Sequence, residues 1–490
     1  MPKLTLIQKY NRINITFNGT PLLRDVLVKS GIFVDSPCGG NGICGKCKVR
    51  VSGAVSEPNK TEINAGCRLA CQTYLLGDVE AELLSQDAEF VNIETDTCNV
   101  QSNAEVLWKY GIAVDIGTTT VVLKLFDNSG ECLSTVSALN PQRAFASDVI
   151  GRIDAALRGN NEILKKQITD CIDELLKYAC TSANISLSDV DKRIITGNTA
   201  MLYLYTGRLP ESISVAPFIA DTLFGEFYDG AYLPPCMNAF VGADISCAIL
   251  ASQMCERDEI SLLCDIGTNG EIALWKNGRL YVTSAAAGPA FEGGEISCGV
   301  GCVSGAIDRV TVDNGEIKAT TIDNTKAVGL CGSGLISLVS AFLELGVIDE
   351  SGYGENIPII NANGGNVQLT QDDIRAFQLA KAAISAAIEI MLKRTETDIK
   401  DIKTFYISGG FGNNLSVNDA VKIGLFPKEL SKNVKFIGNA ALSGAIKLLF
   451  DESNIEKIER IAHTSTHIAL SGEDDFYKSF INDIDFPINW

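Results

Sequence analysis

Histidine is nearly missing from this sequence. The 490 residues include 2 histidines, His463 and His467, and both lie in the segment HTSTH near the carboxyl end. That segment lacks the HExxH spacing of zinc proteases, and so few imidazoles argue against a Ser-His-Asp hydrolase or a His-rich metal site. The chain also has no GxxxxGK[ST] phosphate-binding loop. Several common designs of active site are thereby excluded.

Positive charge and long apolar runs are scarce as well. The chain has 41 Lys and Arg against 60 Asp and Glu, a net charge of −19. This balance argues against nucleic-acid binding, because such proteins use Lys and Arg to neutralise the phosphate backbone. No run approaches the roughly 18 to 20 apolar residues of a membrane-spanning helix, and the amino terminus does not resemble a signal peptide. We expect a cytoplasmic protein with no nucleic-acid or membrane partner.

Glycine and cysteine, by contrast, are plentiful, with 44 and 16 residues. At this length two or three packed units are expected. An apolar fraction of 46% with 21% charged residues is typical of a folded α/β protein. Because no export signal is present, the thiols are expected to be metal ligands, redox groups or core residues rather than disulfides.

The first part of the chain predicts a small α+β domain. KLTLIQ and RINITF alternate like strands, PLLRDVLVKSG has helical spacing up to Gly31, and KCKVRVSG and GDVEAEL are strand-like again. This pattern places a domain over residues 1–85. Residues 86–108 contain five acidic residues, no Lys or Arg and little periodicity, so they are predicted to form a linker.

The rest of the chain contains an internal repeat. YGIAVDIGTTTVVLKLFDNSG begins at Tyr110, and ISLLCDIGTNGEIALWKNGRLYV begins at Ile260. Each copy has an apolar strand, a DIGT tetrapeptide and a second strand, and each is followed later by helical segments such as ILKKQITDCIDELLKYA. We predict an α/β module over 109–490 made of two lobes, about 109–258 and 259–490.

The segment SPCGGNGICGKCKV concentrates Cys38, Cys44 and Cys47 among glycines, and Cys71 follows later. Four thiolates can hold zinc or a [2Fe-2S] cluster. Zinc ribbons favour two separate CxxC pairs, whereas C-x5-C-x2-C with a distant cysteine is close to the ferredoxin pattern. The glycines let the loop wrap tightly and direct N–H groups at sulfur. We predict a [2Fe-2S] site, with zinc as the alternative and Cys67 as an alternative to Cys71.

The repeated DIGT turns are suited to binding phosphate. Gly117 permits close approach of the backbone, Thr118 and Thr119 supply hydroxyl and N–H donors, and Asp115 can hold Mg²⁺ through water. The predicted contacts in the second turn are Asp265, Gly267, Thr268 and Asn269, with Glu271 nearby. Two such turns predict a pair of loops that hold the phosphates of one nucleotide from both sides.

A third motif, FYISGGFGNN, supplies a strand that runs into glycines. The bare backbone there is suited to lying against adenine or ribose, and the predicted contacts are Gly409, Gly410, Phe411 and Gly412. The three motifs in this order resemble the actin/sugar kinase/Hsp70 (ASKHA) superfamily over about 109–450. Residues 1–85 resemble [2Fe-2S] ferredoxins of the adrenodoxin type. These resemblances imply a β-grasp ferredoxin-like domain joined to a two-lobed ATPase.

The whole chain resembles the ATP-dependent reductive activators of corrinoid proteins. Further segments carry this resemblance: NPQRAFASDVIGRI, TGNTAM, VGADI, AAGPAFEGGEISCG and GLCGSGLIS. It implies delivery of one electron from the cluster to reduce cob(II)alamin to cob(I)alamin in a methyltransferase system. ATP, Mg²⁺, a corrinoid protein, a low-potential electron donor and a homodimer are implied with it. Asp115 and Asp265 are then the expected catalytic residues.

The sequence departs from that family in two places. Only about twenty residues separate the two modules, where larger members carry an extra domain, and Val300 and Gly301 stand where the family usually has Met-Arg. Three alternatives stay open at this point. They are an ATP-driven electron donor to another low-potential metalloenzyme, a small-molecule kinase with a redox-sensing domain, and a binding module with a degenerate ATPase.

Overall fold

The amino-terminal residues form a small mixed sheet with a helix packed on it. The structure is a computed structural model that describes residues 1–8, 11–36, 38–42, 45–84, 107–410 and 415–487. Most of the predicted linker, 86–108, lies outside these ranges. The first elements are β1 (Lys3–Gln8), β2 (Asn11–Thr16), α1 (Leu23–Lys29), β3 (Lys48–Val55), α2 (Lys60–Ala65), β4 (Arg68–Leu69) and β5 (Leu75–Leu83).

The five strands are ordered β2-β1-β5-β3-β4. Strand β1 runs parallel to β5, and the other neighbouring pairs are antiparallel. Leu4 and Leu6 alternate along β1 and pack with Leu23 and Leu27 of α1 in one buried core. This arrangement confirms the α+β prediction for the amino-terminal region.

The first large sheet begins with the first copy of the repeat. Its strands are β6 (Tyr110–Ile116), β7 (Thr120–Asp127), β8 (Cys132–Leu139), β9 (Val190–Gly197), β10 (Glu226–Tyr228) and β11 (Ala231–Leu233). Their order is β10-β11-β9-β6-β7-β8, in which β6, β7 and β8 form an antiparallel meander and β9 pairs parallel with β6. Ile112 and Val114 pack in one core and Ala113 in another, so both faces of the sheet are covered.

The second large sheet follows the same plan. The strands of this half are β12 (Ser261–Ile266), β13 (Gly270–Lys276), β14 (Arg279–Ala285), β15 (Ala306–Asp313), β16 (Glu316–Thr321), β17 (Gly329–Leu330), β18 (Ile360–Ala362), β19 (Gly365–Val367), β20 (Thr404–Gly409), β21 (Val434–Phe436) and β22 (Ser465–His467). The large sheet is ordered β21-β20-β12-β13-β14-β22, with a β12–β14 meander and β20 parallel to β12. The two sheets share one strand plan, and the predicted α/β class is confirmed.

Ten further helices accompany the two large sheets in the described ranges. They are α3 (Val149–Ala155), α4 (Asn161–Ser182), α5 (Thr199–Thr206), α6 (Ala243–Ser252), α7 (Gly332–Glu344), α8 (Gln371–Arg394), α9 (Val417–Lys422), α10 (Ala440–Phe450), α11 (Ser453–Thr464) and α12 (Asp474–Asn482). None of the helices described is both long enough and apolar enough to cross a membrane.

Helices α6 and α10 pack against each other between the two large sheets. A side chain at Gly444 of α10 would overlap the carbonyl oxygen of Cys247 in α6, so glycine is required where the helices cross. Helix α10 follows the second sheet in sequence, yet its Leu449 and Phe450 pack in the core that covers β6. Trp108, the last residue of the predicted linker, also packs against Phe450 with its ring tilted, at 5.1 Å between ring centroids. Helix α10 therefore belongs in space to the lobe of the first sheet, although it follows the second sheet in sequence.

Candidate functional site

The two DIGT turns lie against each other at the ends of equivalent strands. Each turn is closed by its own backbone: Gly117 N–H donates to the Thr120 carbonyl at 3.0 Å, and Gly267 N–H donates to the Asn269 carbonyl at 3.0 Å. The hydroxyl oxygens of Thr119 and Thr268 are 3.5 Å apart. The structure thus brings together the two turns that were predicted to hold phosphates from both sides.

Glu292 bridges the two turns. The Thr119 hydroxyl donates to Glu292 Oε2 at 2.5 Å, and the Thr268 hydroxyl donates to the same oxygen. Glu292 ends a short 3₁₀ helix, Pro289–Glu292. This helix lies in the family-like segment AAGPAFEGGEISCG, but the sequence alone did not predict a role for Glu292. A carboxylate therefore occupies the position between two hydroxyl groups that are also suited to phosphate.

Four further carboxyl groups surround this bridge, and each titrates above its ordinary range. Desolvation raises the pKa of Asp115 to about 7. A hydrogen bond from Asn439 opposes this shift, and the charges of Asp265 and Glu292 add to it. Desolvation raises the pKa of Asp265 to about 6. It also raises the pKa of Asp244 and Glu271, with neighbouring carboxylates adding to the effect. These acids therefore act electrostatically on one another.

Each aspartate of the DIGT turns is held by a polar side chain from the last quarter of the chain. Ser408 of β20 donates its hydroxyl to Asp265 at 2.7 Å. Asn439 donates its side-chain amide to Asp115 at 2.8 Å. The same Asn439 caps α10 by accepting the Leu442 N–H at 2.8 Å. Sequence reasoning missed both partners, and for Asn439 the N-cap position before an apolar helix was the available signal.

The third predicted motif meets the second turn. Gly409 ends β20, has a φ of 118°, and leaves no room for a side chain beside the Ile266 carbonyl. The Gly410 carbonyl lies 3.8 Å from the sulfur of Cys302. Phe411 and Gly412, the other predicted adenosine contacts, lie outside the described residues. The glycine segment therefore begins directly beside the second DIGT turn.

The first turn is fixed from behind by three buried polar residues. Asn140 donates its N–H to the Thr119 carbonyl at 2.8 Å and its side-chain amide to the Gly117 carbonyl at 2.9 Å. Asn198 donates to the Thr118 hydroxyl at 3.1 Å. Arg152, fully buried, donates to the Thr118 carbonyl, and desolvation lowers its pKa to about 9. The family-like segments NPQRAFASDVIGRI and TGNTAM thus support the first turn.

The cysteine loop brings sulfur atoms together in the amino-terminal domain. The sulfurs of Cys47 and Cys71, both buried, are 3.3 Å apart, and the Gln72 amide approaches Cys71 at 3.7 Å. The hydrogen bond from Cys47 lowers the pKa of Cys71 to about 7, and the charge of Cys38 opposes this effect. Cys44 lies outside the described residues. Paired buried thiols suit an iron–sulfur cluster, and Cys71 is the residue that meets Cys47, while Cys67 is partly exposed.

The glycines of this loop adopt the backbone conformation that side chains disfavour. Gly39, Gly40, Gly42 and Gly45 have φ values of 65°, 96°, 76° and 63°. A side chain at Gly42 would lie 2.7 Å from the Gln72 amide nitrogen. Within the described ranges, no three His, Cys, Asp or Glu side chains converge as metal ligands would. The loop geometry nonetheless fits a chain that wraps closely around a cofactor.

Three family models match consecutive parts of the chain. Residues 9–76 match the 2Fe-2S iron-sulfur cluster binding domain, 110–257 the RACo middle region, and 259–489 the C-terminal ASKHA domain of RACo. The first match supports a [2Fe-2S] cluster as a cofactor, and the last supports ATP binding. The predicted combination of ferredoxin-like domain and ASKHA ATPase is confirmed.

Relatives match most of the chain as well. Corrinoid activation enzyme RamQ of Eubacterium limosum is 32% identical over 432 residues, 80% of this chain and 72% of that protein. The [Co(II) methylated amine-specific corrinoid protein] reductase of Methanosarcina barkeri is 27% identical, covering 77% of each chain. A solved reductive activator for a corrinoid, iron-sulfur protein superposes with a TM-score of 0.72 at 27% identity, covering 99% of this chain and 98% of that one. The chain therefore belongs to the family of ATP-dependent reductive activators of corrinoid proteins.

Proposed function

We propose that this protein uses ATP and one electron from a [2Fe-2S] cluster to reduce the cob(II)alamin of a partner corrinoid protein to cob(I)alamin. The contact of both DIGT turns with Glu292, in a chain that also pairs the buried sulfurs of Cys47 and Cys71, carries the proposal. Two relatives are named for corrinoid activation and for reduction of a Co(II) corrinoid protein, which supports the same substrate class.

The need for ATP follows from the electron-transfer energetics. Plant-type ferredoxin clusters have reduction potentials of about −400 mV. For a one-electron transfer, each ~59 mV by which the acceptor lies lower costs a factor of ten in the equilibrium. Reduction of cob(II)alamin to cob(I)alamin is uphill from such a donor. A two-lobed ATPase whose nucleotide loops touch can couple ATP binding to relative movement of its lobes.

The proposed nucleotide site is built from the two turns and the glycine segment. The phosphate contacts are Gly117, Thr118, Thr119, Gly267, Thr268 and Asn269, and the adenosine contacts are Gly409, Gly410, Phe411 and Gly412. Asp115 and Asp265 would hold Mg²⁺ and orient the attacking water, since carboxylate oxygens suit this hard cation. Their pKa values are raised mainly by desolvation and further by neighbouring carboxylates, and a bound cation would offset both effects, which supports the proposal.

Cys38, Cys44, Cys47 and Cys71 are the proposed cluster ligands. The cluster supplies the one-electron carrier of the reaction. The buried Cys47 and Cys71 would shield the cluster on their side, and the N–H groups of the glycine loop would compensate sulfur charge. The 3.3 Å approach of Cys47 to Cys71 favours Cys71 over Cys67 as the fourth ligand.

The finer organisation is proposed on the same footing. We place the ferredoxin-like domain at 1–85, the linker at 86–108 and the ATPase at 109–490, with lobes at about 109–258 and 259–490. Strand β5 ends at Leu83 and β6 begins at Tyr110, which supports these boundaries. A low-potential electron donor, a homodimer and a cytoplasmic location complete the proposal. The acidic net charge of −19 favours protein partners with basic faces over nucleic acid or membrane.

An anaerobic reduction assay tests this function. Purified protein is mixed with corrinoid proteins of methyltransferase systems in the cob(II)alamin state, a low-potential reductant and MgATP, and the cob(I)alamin absorption band is followed. The band should grow with ATP and fail to grow with Asp115→Ala. Equal growth without ATP would contradict the coupled mechanism. ADP formation matched by a phosphorylated small molecule would indicate a kinase instead.

A further inference from the structure

Two side chains of the ferredoxin-like domain share one carbonyl group of the ATPase as a hydrogen-bond acceptor. Arg24 donates a guanidinium N–H to the Ala144 carbonyl, and the Ser36 hydroxyl is 2.8 Å from the same oxygen. Arg24 Nε also donates to the Ser36 hydroxyl at 2.9 Å, so the two donors brace each other. Ala144 itself is fully buried and packs in the core of the ferredoxin-like domain.

This contact lies directly beside the proposed cluster. Asp35 forms an ion pair with Arg143 at 3.4 Å, and both side chains are largely shielded. A side chain at Gly39 would lie 2.9 Å from the Phe145 carbonyl oxygen. Residues 35, 36 and 39 thus flank Cys38 on both sides and touch the turn 143–145. We call residues 141–145 the docking turn.

The docking turn is also part of the support of the first phosphate-binding turn. Asn140, the residue before it, bonds the Gly117 and Thr119 carbonyls. Arg152 joins the Thr118 carbonyl to the Ala146 carbonyl, the latter at 3.0 Å, just after the docking turn. A displacement of residues 117–119 therefore reaches the docking turn through short, buried hydrogen bonds on either side of it.

A second and weaker contact connects the cluster loop to the other half of the ATPase. Lys46, next to Cys47, donates its ammonium group to the Gly299 carbonyl at 3.3 Å. Gly299 follows Glu292 in the same connection after β14. This contact is a single long hydrogen bond, whereas the contact at Ala144 combines two donors and apolar burial. If the lobes move, we expect the cluster loop to stay with the docking turn and to change its contact at Gly299.

We propose that Arg24 is a positioning residue of the coupled reaction, because it holds the cluster loop on the docking turn. Through this contact, nucleotide binding at the first phosphate-binding turn sets the position of the cluster. The inference rests on the proposed function. Phosphate entering between Thr119 and Thr268 must displace the hydrogen bonds to Glu292. The resulting shift is passed by Asn140 and Arg152 to the carbonyl that Arg24 and Ser36 share.

The test compares Arg24→Met with Arg50→Met in the holoprotein. Arg50 is an exposed arginine of the same domain that pairs with Glu82 at the surface. Hydrogen exchange is measured with and without a non-hydrolysable ATP analogue. In wild type and Arg50→Met the analogue should change exchange in residues 117–120, 141–153 and 24–36. In Arg24→Met the change should stop at 141–153.

The kinetic readout is the number of corrinoid reductions per ATP hydrolysed. Arg24→Met should keep the cluster spectrum and the KM for ATP, but the reductions per ATP should fall by about tenfold to a hundredfold, because the donor is misplaced. The proposal would be overturned if the ATP analogue left hydrogen exchange in residues 24–36 of the wild type unchanged. It would also be overturned if Arg24→Met and Arg50→Met gave the same exchange and the same number of reductions per ATP. The exchange experiment needs no corrinoid protein, so it stands or fails separately from the proposed function.

If Arg24→Met fails to assemble its cluster, Arg143→Gln replaces it. This change breaks the ion pair with Asp35 from the ATPase side and leaves the ferredoxin-like sequence intact. It should weaken the nucleotide-dependent exchange in 24–36 without changing exchange in 117–120. If Arg143→Gln kept both the nucleotide-dependent exchange in 24–36 and the wild-type number of reductions per ATP, the docking turn would not be what links the nucleotide site to the cluster loop.

Discussion

Asn439 and Asp115 are 324 residues apart in the sequence, yet the amide nitrogen of one lies 2.8 Å from the carboxylate of the other. Asn439 caps α10, a helix that follows the second large sheet in sequence and packs on the first. The position of the Asp115 carboxylate therefore depends on where α10 begins. Movement of α10 against β6 during lobe closure would change the environment of a proposed Mg²⁺-positioning residue.

Replacement of Asn439 should separate its two roles. Asn439→Ala removes the cap and the contact with Asp115, whereas Asn439→Ser keeps a capping side chain that is too short to hold Asp115. Both variants should hydrolyse ATP at least about tenfold more slowly, since a positioned carboxylate is lost. Only the alanine variant should also lose about 1 kcal/mol of unfolding free energy. Full ATPase activity in Asn439→Ser would contradict the role assigned to the contact.

The raised pKa values predict that the nucleotide-free protein becomes less stable as the pH rises. Desolvation places the pKa of Asp115 near 7, against an ordinary value of 3.8. Below about pH 4 the group is protonated in both folded and unfolded chains. Between about pH 4 and pH 7 the Asp115 carboxyl ionises in the unfolded chain but stays largely protonated in the folded chain. The stability contribution of Asp115 is therefore lost as the pH rises through its folded pKa.

Asp115→Asn provides the comparison. The variant should be more stable than wild type at pH 8 by about 2 to 4 kcal/mol, and the difference should shrink at pH 5.5, where the wild-type carboxyl is largely protonated. Urea unfolding of both proteins without nucleotide measures it. A difference that stays constant between the two pH values would show that charge at residue 115 is not its source.

Much of the fold could be predicted because its signals are local. The alternation of β6 and β12, the DIGT turns and the helix spacing of α4 and α8 are all properties of short segments. The repeat then indicated two equivalent sheets, since the same local pattern folds the same way twice. The cysteine spacing similarly predicts which loop holds the cluster, because three ligands of such a site come from one stretch of chain.

The supporting residues of the site could not be predicted, because their contacts join distant parts of the chain. Glu292, Ser408 and Asn439 come from three different connections and meet only after both sheets have formed. The packing of α10 on the first sheet could not be predicted for the same reason. Arg152 lay in a segment of known resemblance, but only its burial revealed that it holds the first turn from behind.

Glu292→Gln should weaken the link between the two turns. The carboxylate accepts from the hydroxyls of Thr119 and Thr268, and a neutral amide is a weaker acceptor for both. We expect ATP hydrolysis to fall by about tenfold or more, with a smaller change in nucleotide affinity, as titration calorimetry and ATPase assays can show. Glu295→Gln, an exposed change in the same connection, is the control. Equal effects of the two changes would indicate a general loss of charge rather than the bridge.

Serine substitutions at Cys71 and Cys67 decide the fourth cluster ligand. Cys71 is buried with its sulfur 3.3 Å from that of Cys47, whereas Cys67 is partly exposed before β4. Cys71→Ser should therefore lose the visible absorption of the [2Fe-2S] cluster, because serine supplies an oxygen in place of the soft thiolate. Cys67→Ser should keep one cluster per chain, measured by absorption and by iron content. The opposite pair of spectra would move the ligand to Cys67, and loss in both variants would show that the loop around α2 must also be intact for the cluster to assemble.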